Sequence, residues 1–297
     1  MIKKAYIILV HKNPQQVYRL LEKLDDGNSI FFIHLDKRTS IKSFRKLDHF
    51  QQKLKFVERE KTGWGSFGLV TATINALKEV KKADEKFDQV ILLSGQDYPI
   101  KSNLFIDTFF KESGYSIFIE YFTIPNYEKW EPRGGLYRVD KYYLGHKLYQ
   151  KYTAKTLNFL SGFFSRLKRN LPDDLIPYAG SQWWMINMHA VNYILEFIEQ
   201  NPDYVSFHKF TFAADEVFFH TILLNASDEL LHNSIAKDSK RFLSWKDSNN
   251  AHPDVLTVKD LTDLKNSTAL FARKFDERVD SKIFNLIDDY CLLDAHN

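Results

Sequence analysis

The stretch Phe87–Ser102, FDQVILLSGQDYPIKS, decides how the rest of the chain is read. Val90–Leu93 is an apolar, β-rich run of the kind buried on both faces of a parallel sheet. It ends in Ser94-Gly95-Gln96-Asp97-Tyr98-Pro99, a cluster of small, polar and rigid residues. Ligands of open α/β sheets bind beyond the carboxyl ends of the strands, so a site is expected here. Gly95 lets a ligand approach the backbone, and Pro99 fixes the exit of the chain. Gln96 and Asp97 carry donors and acceptors suited to sugar or ribose hydroxyls. The hexapeptide reads equally well as an Asp-containing turn that only caps a strand.

Outward from this stretch, strands are expected at Ala5–Val10, Ile30–Leu35 and Leu54–Val57. Helices are expected over Asn13–Leu24, Ile41–Phe50 and Ser66–Val80; Val17, Leu20, Leu21 and Leu24 show the helical spacing in the first. Strand–helix alternation at this spacing implies an α/β fold, a mostly parallel central sheet flanked by helices. Residues 1–122 form a nucleotide-binding-like half of a single domain covering 1–297, and 123–297 form an acceptor-binding and catalytic half. Neither a GxGxxG fingerprint nor a P-loop is present. His11 and the turn Asp36-Lys37-Arg38 close the first two strands and are candidates for the nucleotide; a solvated charged turn is the alternative.

In the second half, Phe105–Lys111 reads as a short helix and Tyr115–Ile119 as a strand. GSQWW (180–184) opens a strand to Asn187, followed by helices over Ala190–Glu199 and Ala214–Leu224. Short strands fall within Ser234–Trp245, and the chain closes with a helix at Asp260–Lys265, an extended Phe271–Phe275 and a helix at Ser281–Leu293. Lys147–Arg169 holds six basic side chains and no acid, interleaved with Tyr, Phe and Leu. It is either a surface helix with a core face or a basic amphipathic element lying on an anionic membrane.

Composition narrows the class. The 297 residues are 44% hydrophobic and 15% aromatic, enough for a substantial core. The net charge of +3 is too small to argue for nucleic acid. The one cysteine, Cys291, excludes an internal disulfide and fits a reducing, cytoplasmic compartment. No run of 18 apolar residues is present, so no membrane-spanning helix is expected. The short apolar run of MIKKAYIILVHK reads as the first strand, since no small-residue cleavage site follows.

Three further features could carry chemistry. Glu216 follows Asp215 at an expected helix start, where the helix dipole favours a carboxylate; the pair reads otherwise as a cap and a first-turn residue. Arg273 and Lys274 stand side by side in an apolar frame, and a surface pair is the plain alternative. Of Trp183 and Trp184, strand alternation places one in the core and lets the other stack on a sugar.

Several blocks resemble one family. LSGQDYPI, HLDKR (34–38), WGSFGLVTATINAL (64–77), GSQWW (180–184), ADEVFFHTIL (214–223) and LFARKFD (270–276) are similar, in order, to blocks of the core-2/I-branching β-1,6-N-acetylglucosaminyltransferases, glycosyltransferase family 14, which includes the peptide xylosyltransferases. The resemblance implies a GT-A-like fold and an inverting transfer from a UDP-sugar, with GlcNAc the first choice and xylose or galactose next. It implies Glu216 as the base and the basic residues of FARKF as the grip on the UDP diphosphate in place of a metal. No Asp-x-Asp follows the nucleotide strand, so no metal or other cofactor is expected. His11, Asp36, Arg38, Gln96 and Asp97 are then donor-binding candidates, and Gln182, Trp183, Trp184 and again Asp97 acceptor-binding ones. Some relatives have Asp where Gln182 stands. Animal relatives carry an anchor and stem, whereas this chain starts at the catalytic domain. That suggests a soluble or peripheral bacterial-type enzyme acting on a glycan or lipid-linked acceptor, its contact with anionic membrane running through 147–169. The alternatives are a metal-using transferase with Asp97 and Asp215 as ligands, and a catalytically silent sugar- or nucleotide-binding protein on the same fold.

Overall fold

The computed structural model describes residues 1–246 and 252–292. Its strands are β1 (Lys4–Val10), β2 (Ile30–Leu35), β3 (Leu54–Phe56), β4 (Gln89–Ser94), β5 (Asp97–Pro99), β6 (Ile117–Ile119), β7 (Phe122–Thr123), β8 (Tyr178–Ala179), β9 (Trp184–Ile186), β10 (Ile235–Ala236), β11 (Arg241–Leu243) and β12 (Phe271–Arg273). A seven-stranded sheet runs β10-β6-β9-β4-β1-β2-β3. β1 lies parallel to β2 and β4, β2 to β3, and β6 to β10. β9 alone runs against both of its neighbours.

The central strands are buried throughout because helices cover both faces. Ala5, Ile7 and Leu9 pack with Val70, Leu77 and Val80 of the helix Gly68–Lys82. The alternate residues Tyr6, Ile8 and Val10 pack with Val17, Leu20 and Leu21 of the helix Pro14–Leu24. The period of two in the strands thus divides one apolar run between two cores. The expected α/β architecture is the one observed.

Three expectations change in detail. Ile41–Phe50 was expected as an α-helix; it forms 3₁₀ turns over Ile41–Lys53, with Phe44, Leu47 and Phe50 buried. A spacing of three fits 3.0 residues per turn better than 3.6. The expected helix Ala214–Leu224 splits into a 3₁₀ turn, Ala214–Glu216, and a helix, Phe218–Leu224. Ala213 at φ 48 and Val217 at φ −126 flank the turn and prevent a continuous helix. The closing helix is Lys282–Tyr290; Leu293 of the expected span lies outside the described residues.

The SGQDYP stretch is not a terminal turn alone. After the turn the chain re-enters as β5, which pairs antiparallel with β12 in a three-stranded sheet ordered β11-β12-β5. Asp97 stands opposite Arg273 in that ladder.

The basic stretch forms the helix Leu148–Leu160 and a 3₁₀ turn, Ser165–Leu167. Arg169 does not join its exposed face. It is buried, donates to the carbonyls of Lys141 and Phe207 and to Thr211 Oγ1, and stacks over Phe207 at 4.1 Å. The membrane-facing expectation therefore fails for Arg169, because these acceptors hold its guanidinium inside. Among the described residues no helix is long and apolar enough to cross a membrane.

At the amino end of β1, Lys4 is fully buried between Asp26, at 2.6 Å, and Asp107. Removing one member of a buried ion network leaves its partners charged and desolvated. Lys4→Met should lower unfolding free energy by about 3–5 kcal/mol in urea titrations; a change within about 0.5 kcal/mol would mean the two carboxylates are held by other groups.

Candidate active site

A cleft of about 980 Å³ opens at the carboxyl ends of β1 and β4, and both halves of the chain line it. Its base is knitted between the SGQDYP turn and the segment after β12. The Gln96 carbonyl accepts from the Phe275 N–H at 2.8 Å, and Gln96 Nε2 donates to the Phe275 carbonyl at 3.2 Å. Buried Gln16 donates to the carbonyls of Gly95 and Phe275 and accepts from the Glu277 N–H. These bonds fix where Arg273 and Lys274 enter the cleft.

The Arg273 guanidinium lies over the Trp183 ring at 4.1 Å, and its buried Nε has no hydrogen-bond partner among the described residues. Burial lowers its pKa, while Asp97, Asp215 and Glu216 pull the other way. Lys274 is lowered first by burial, then by Lys12 and Arg273. Neither cation forms an ion pair among the described residues; the nearby Asp276 is taken by Lys12 at 2.7 Å.

Facing them, Glu216 Oε2 accepts from Arg138 Nη1 at 2.6 Å. Arg138 is itself buried, its guanidinium 3.7 Å from the centre of the Trp130 ring. Glu216 Oε1 accepts no hydrogen bond among the described residues and is the atom left to a ligand. The Glu216 carbonyl accepts from the Gly180 N–H at 3.0 Å. A Cβ at position 180 would lie 1.8 Å from the Glu120 carbonyl oxygen, so only glycine fits there. Asp215, next to the base candidate, is buried with Oδ1 unpartnered among the described residues. Burial first, then the Glu216 charge, pushes its pKa up to about 7, against the pull of Arg138 and Arg273.

The cleft brings together His11, Arg38, Gln96, Gln182, Trp183, Glu216, Arg273 and Lys274 of the expected site. Trp64 stands at the mouth, 45% exposed and stacked on His146; His252 meets its edge and also lines the cleft.

Three expected site residues lie elsewhere. Trp184 is in the core against Phe219, so only Trp183 faces the cleft, as strand alternation requires. Asp97 has no exposed surface. Its Oδ2 accepts from the Ser94 N–H and hydroxyl, and its Oδ1 lies 3.6 Å from Arg241 Nε. Asp36 is buried, accepting from Arg38 and from the Thr62 N–H and hydroxyl. Those bonds commit both carboxylates to holding loops, which leaves them no open face toward sugar or ribose. Arg138, Trp130 and Gln16 were missed. Arg138 acts on a residue 78 positions away, and no local pattern marks it. Among the described residues no three His, Cys, Asp or Glu side chains gather as a metal site.

The family model described as Core-2/I-branching enzyme matches residues 4–266. The chain belongs to the Core-2/I-branching enzyme family. It is 25% identical to the β-glucuronosyltransferase GlcAT14B of Arabidopsis thaliana, over all of this chain and 64% of that protein. It is 24% identical to the human N-acetyllactosaminide β-1,6-N-acetylglucosaminyltransferase, over 92% of this chain and 68% of the other. Xylosyltransferase 1 of Rattus norvegicus is 22% identical over 97% of this chain, which spans 35% of its length. The chain thus covers between about a third and two thirds of the length of these three relatives.

The raised pKa of Asp215 has a sign that stability can read. Between the ordinary carboxylate value of 3.8 and about 7 the native state favours a proton that the unfolded chain has released. Stability attributable to this group therefore falls as pH rises through that window. Melting temperatures of wild type and Asp215→Asn should diverge from about pH 4 to 7, the wild type losing ground; parallel curves would mean Asp215 is ionised throughout.

Proposed function

We propose that this chain is an inverting glycosyltransferase that moves a sugar from a UDP-sugar to a glycan or lipid-linked oligosaccharide, without a metal ion, in bacterial polysaccharide synthesis. The observation that carries the reading is the opposition, across one cleft, of a carboxylate held by Arg138 and two cations that form no ion pair among the described residues. The names of the relatives support glycosyl transfer: they include glucuronosyl, xylosyl and N-acetylglucosaminyl transferases. GlcNAc is the preferred donor sugar, with xylose or galactose next.

In this reading Glu216 Oε1 accepts the proton of an acceptor hydroxyl. The hydroxyl oxygen forms its bond to the anomeric carbon as the bond from that carbon to the diphosphate oxygen breaks on the opposite face. One displacement inverts the anomeric configuration. The charge left on the diphosphate is met by Arg273 and Lys274, partly buried cations in whose site electrostatic stabilisation exceeds that in bulk water. Trp183 lies in the cleft wall and supports Arg273 on its ring face; His11 and Arg38 are placed for the nucleotide end. The commitment of Asp97 to Ser94 and Arg241 supports cations rather than a metal at the diphosphate. The acceptor is taken up at the inner face of a membrane on which the enzyme sits peripherally.

Two experiments test this. Glu216→Gln keeps shape and removes the proton acceptor; transfer should fall roughly 10²–10⁴-fold while UDP still binds. Near-normal turnover would move the base elsewhere, Asp215 first. Calorimetry separates the cations from a metal: Lys274→Ala should weaken UDP by about 10–150-fold, a charge-assisted bond of about 1.5–3 kcal/mol, and leave uridine unchanged, with both affinities insensitive to EDTA. UDP binding abolished by EDTA and restored by Mn²⁺ would sink the metal-free reading.

A further inference from the structure

The helix Leu148–Leu160 and the turn after it carry an unusual surface. Leu148, Tyr149, Tyr152, Phe159, Phe163 and Phe164 are each between 58% and 71% exposed. Leu148, Tyr152 and Phe159 follow one another at spacings of four and seven, one stripe along the helix, and Phe163 in the turn after it extends the stripe, its ring 5.1 Å from that of Phe159. The helix turns the opposite side inward, where Ala154 is its buried residue and Asn158 bonds both backbone groups of Tyr142. The aromatics therefore do not pack on the sheet, and a contiguous apolar surface of this kind marks an interaction site.

The charge beside it selects the partner. Lys147, Lys151, Lys155, Arg166 and Lys168 are all exposed, and no acidic residue occurs from Lys141 to Pro172. Basic side chains flanking exposed Phe, Tyr and Leu complement an anionic, apolar-backed surface, which is what a bilayer with anionic headgroups presents.

The same helix is fastened to the catalytic cleft. His146, one residue before Lys147, stacks on Trp64 at the cleft mouth, its ring 5.6 Å away and its Nε2 2.9 Å from the Trp64 carbonyl oxygen. Arg169 closes the far end of the stretch on the carbonyls of Arg138 and Lys141. Arg138 is the residue that holds Glu216. Both ends of the basic stretch are thus bonded to residues that frame the cleft.

We infer that residues 147–168 dock the enzyme on an anionic lipid surface and bring the cleft mouth to it, so that the acceptor sugar reaches Glu216 while its lipid stays in the bilayer. This deepens the reading above and rests on it for the acceptor, but the docking itself needs no donor, acceptor or turnover. The closing experiment is sedimentation of the full chain with two kinds of vesicle, phosphatidylcholine alone, and phosphatidylcholine with phosphatidylglycerol in equal parts. The chain should pellet with the second and not the first, and added salt should release it. Combined Lys147→Gln, Lys151→Gln and Lys155→Gln should weaken partitioning about fivefold per lysine. Phe159→Ser and Phe163→Ser should each weaken it roughly tenfold. All five side chains are exposed, so the variants keep the fold; matched melting curves verify this. Lys42→Gln with Lys81→Gln, two exposed lysines on other elements, should change nothing. A wild-type chain left in the supernatant at low salt overturns the inference. So does loss as large in the Lys42, Lys81 control, or self-association through Phe159 and Phe163 in place of vesicle binding. A chain that pellets as expected yet transfers no sugar keeps the surface and refutes the transferase reading; one that glycosylates soluble acceptor but never pellets does the reverse.

Discussion

The three-residue ladder between β5 and β12 is the constraint on which the cleft depends. Residues 97–99 and 271–273 are far apart in the chain, and closing a loop of that length costs entropy that local contacts must offset. The offset comes from several directions: the ladder, the paired bonds between Gln96 and Phe275, and Gln16 reaching from a helix to both segments. Tyr98, Phe271 and Phe275 are fully buried in the core on that face. Because Asp97 is opposite Arg273 in the ladder, the turn after β4 and the arginine of the cleft are set by one register. A shift of one residue would turn Arg273 to the other face and remove it from Trp183.

That dependence explains what Asp97 does. Its position at a strand end invites a role in binding ligand, yet it is satisfied by Ser94 on one oxygen and faces Arg241 on the other. Arg241 donates to the Leu92 carbonyl of β4, so the pair ties the small sheet to the large one. A buried carboxylate with such partners is expensive to leave unpaired, which holds the turn in one conformation. Gln96, one residue earlier, keeps its place in the cleft wall as a consequence.

How much of this was legible depended on the range over which each feature is encoded. The runs at β1, β2 and β4 and the stripes of the first and third helical segments have strong local periods, and all formed as read. Ile41–Phe50 was misjudged because apolar residues at 44, 47 and 50 satisfy a helical pattern loosely and a 3₁₀ pattern well. The division between Trp183 and Trp184 followed from alternation, although local pattern alone could not assign the faces. The eight cleft residues were found from strand ends and family-like blocks, but the partners that orient them were not. Arg138 lies where no element was expected, and Arg169 in the basic stretch expected as a surface or membrane-facing helix; what buries them is contact with residues distant in sequence. Composition could likewise suggest a basic amphipathic stretch at 147–169, but only the fold shows which of its aromatics stay outside.

The electrostatics of the cleft give these parts a common logic. Five charged groups stand close together: Asp215, Glu216, Arg138, Arg273 and Lys274. Two adjacent carboxylates in a poorly hydrated site resist ionising together, and here burial falls mainly on Asp215, whose pKa it pushes up. Glu216 is more exposed and has Arg138 at 2.6 Å. Glu216 pairs with Arg138, while Arg273 and Lys274 form no ion pair among the described residues. Their own pKa values are lowered, the cost of keeping cations where water is scarce. An incoming dianion relieves that cost. Burial that favours the neutral form of Asp215 therefore eases its repulsion of Glu216 and leaves the opposite wall more positive, the field that the proposed reaction would use at the diphosphate.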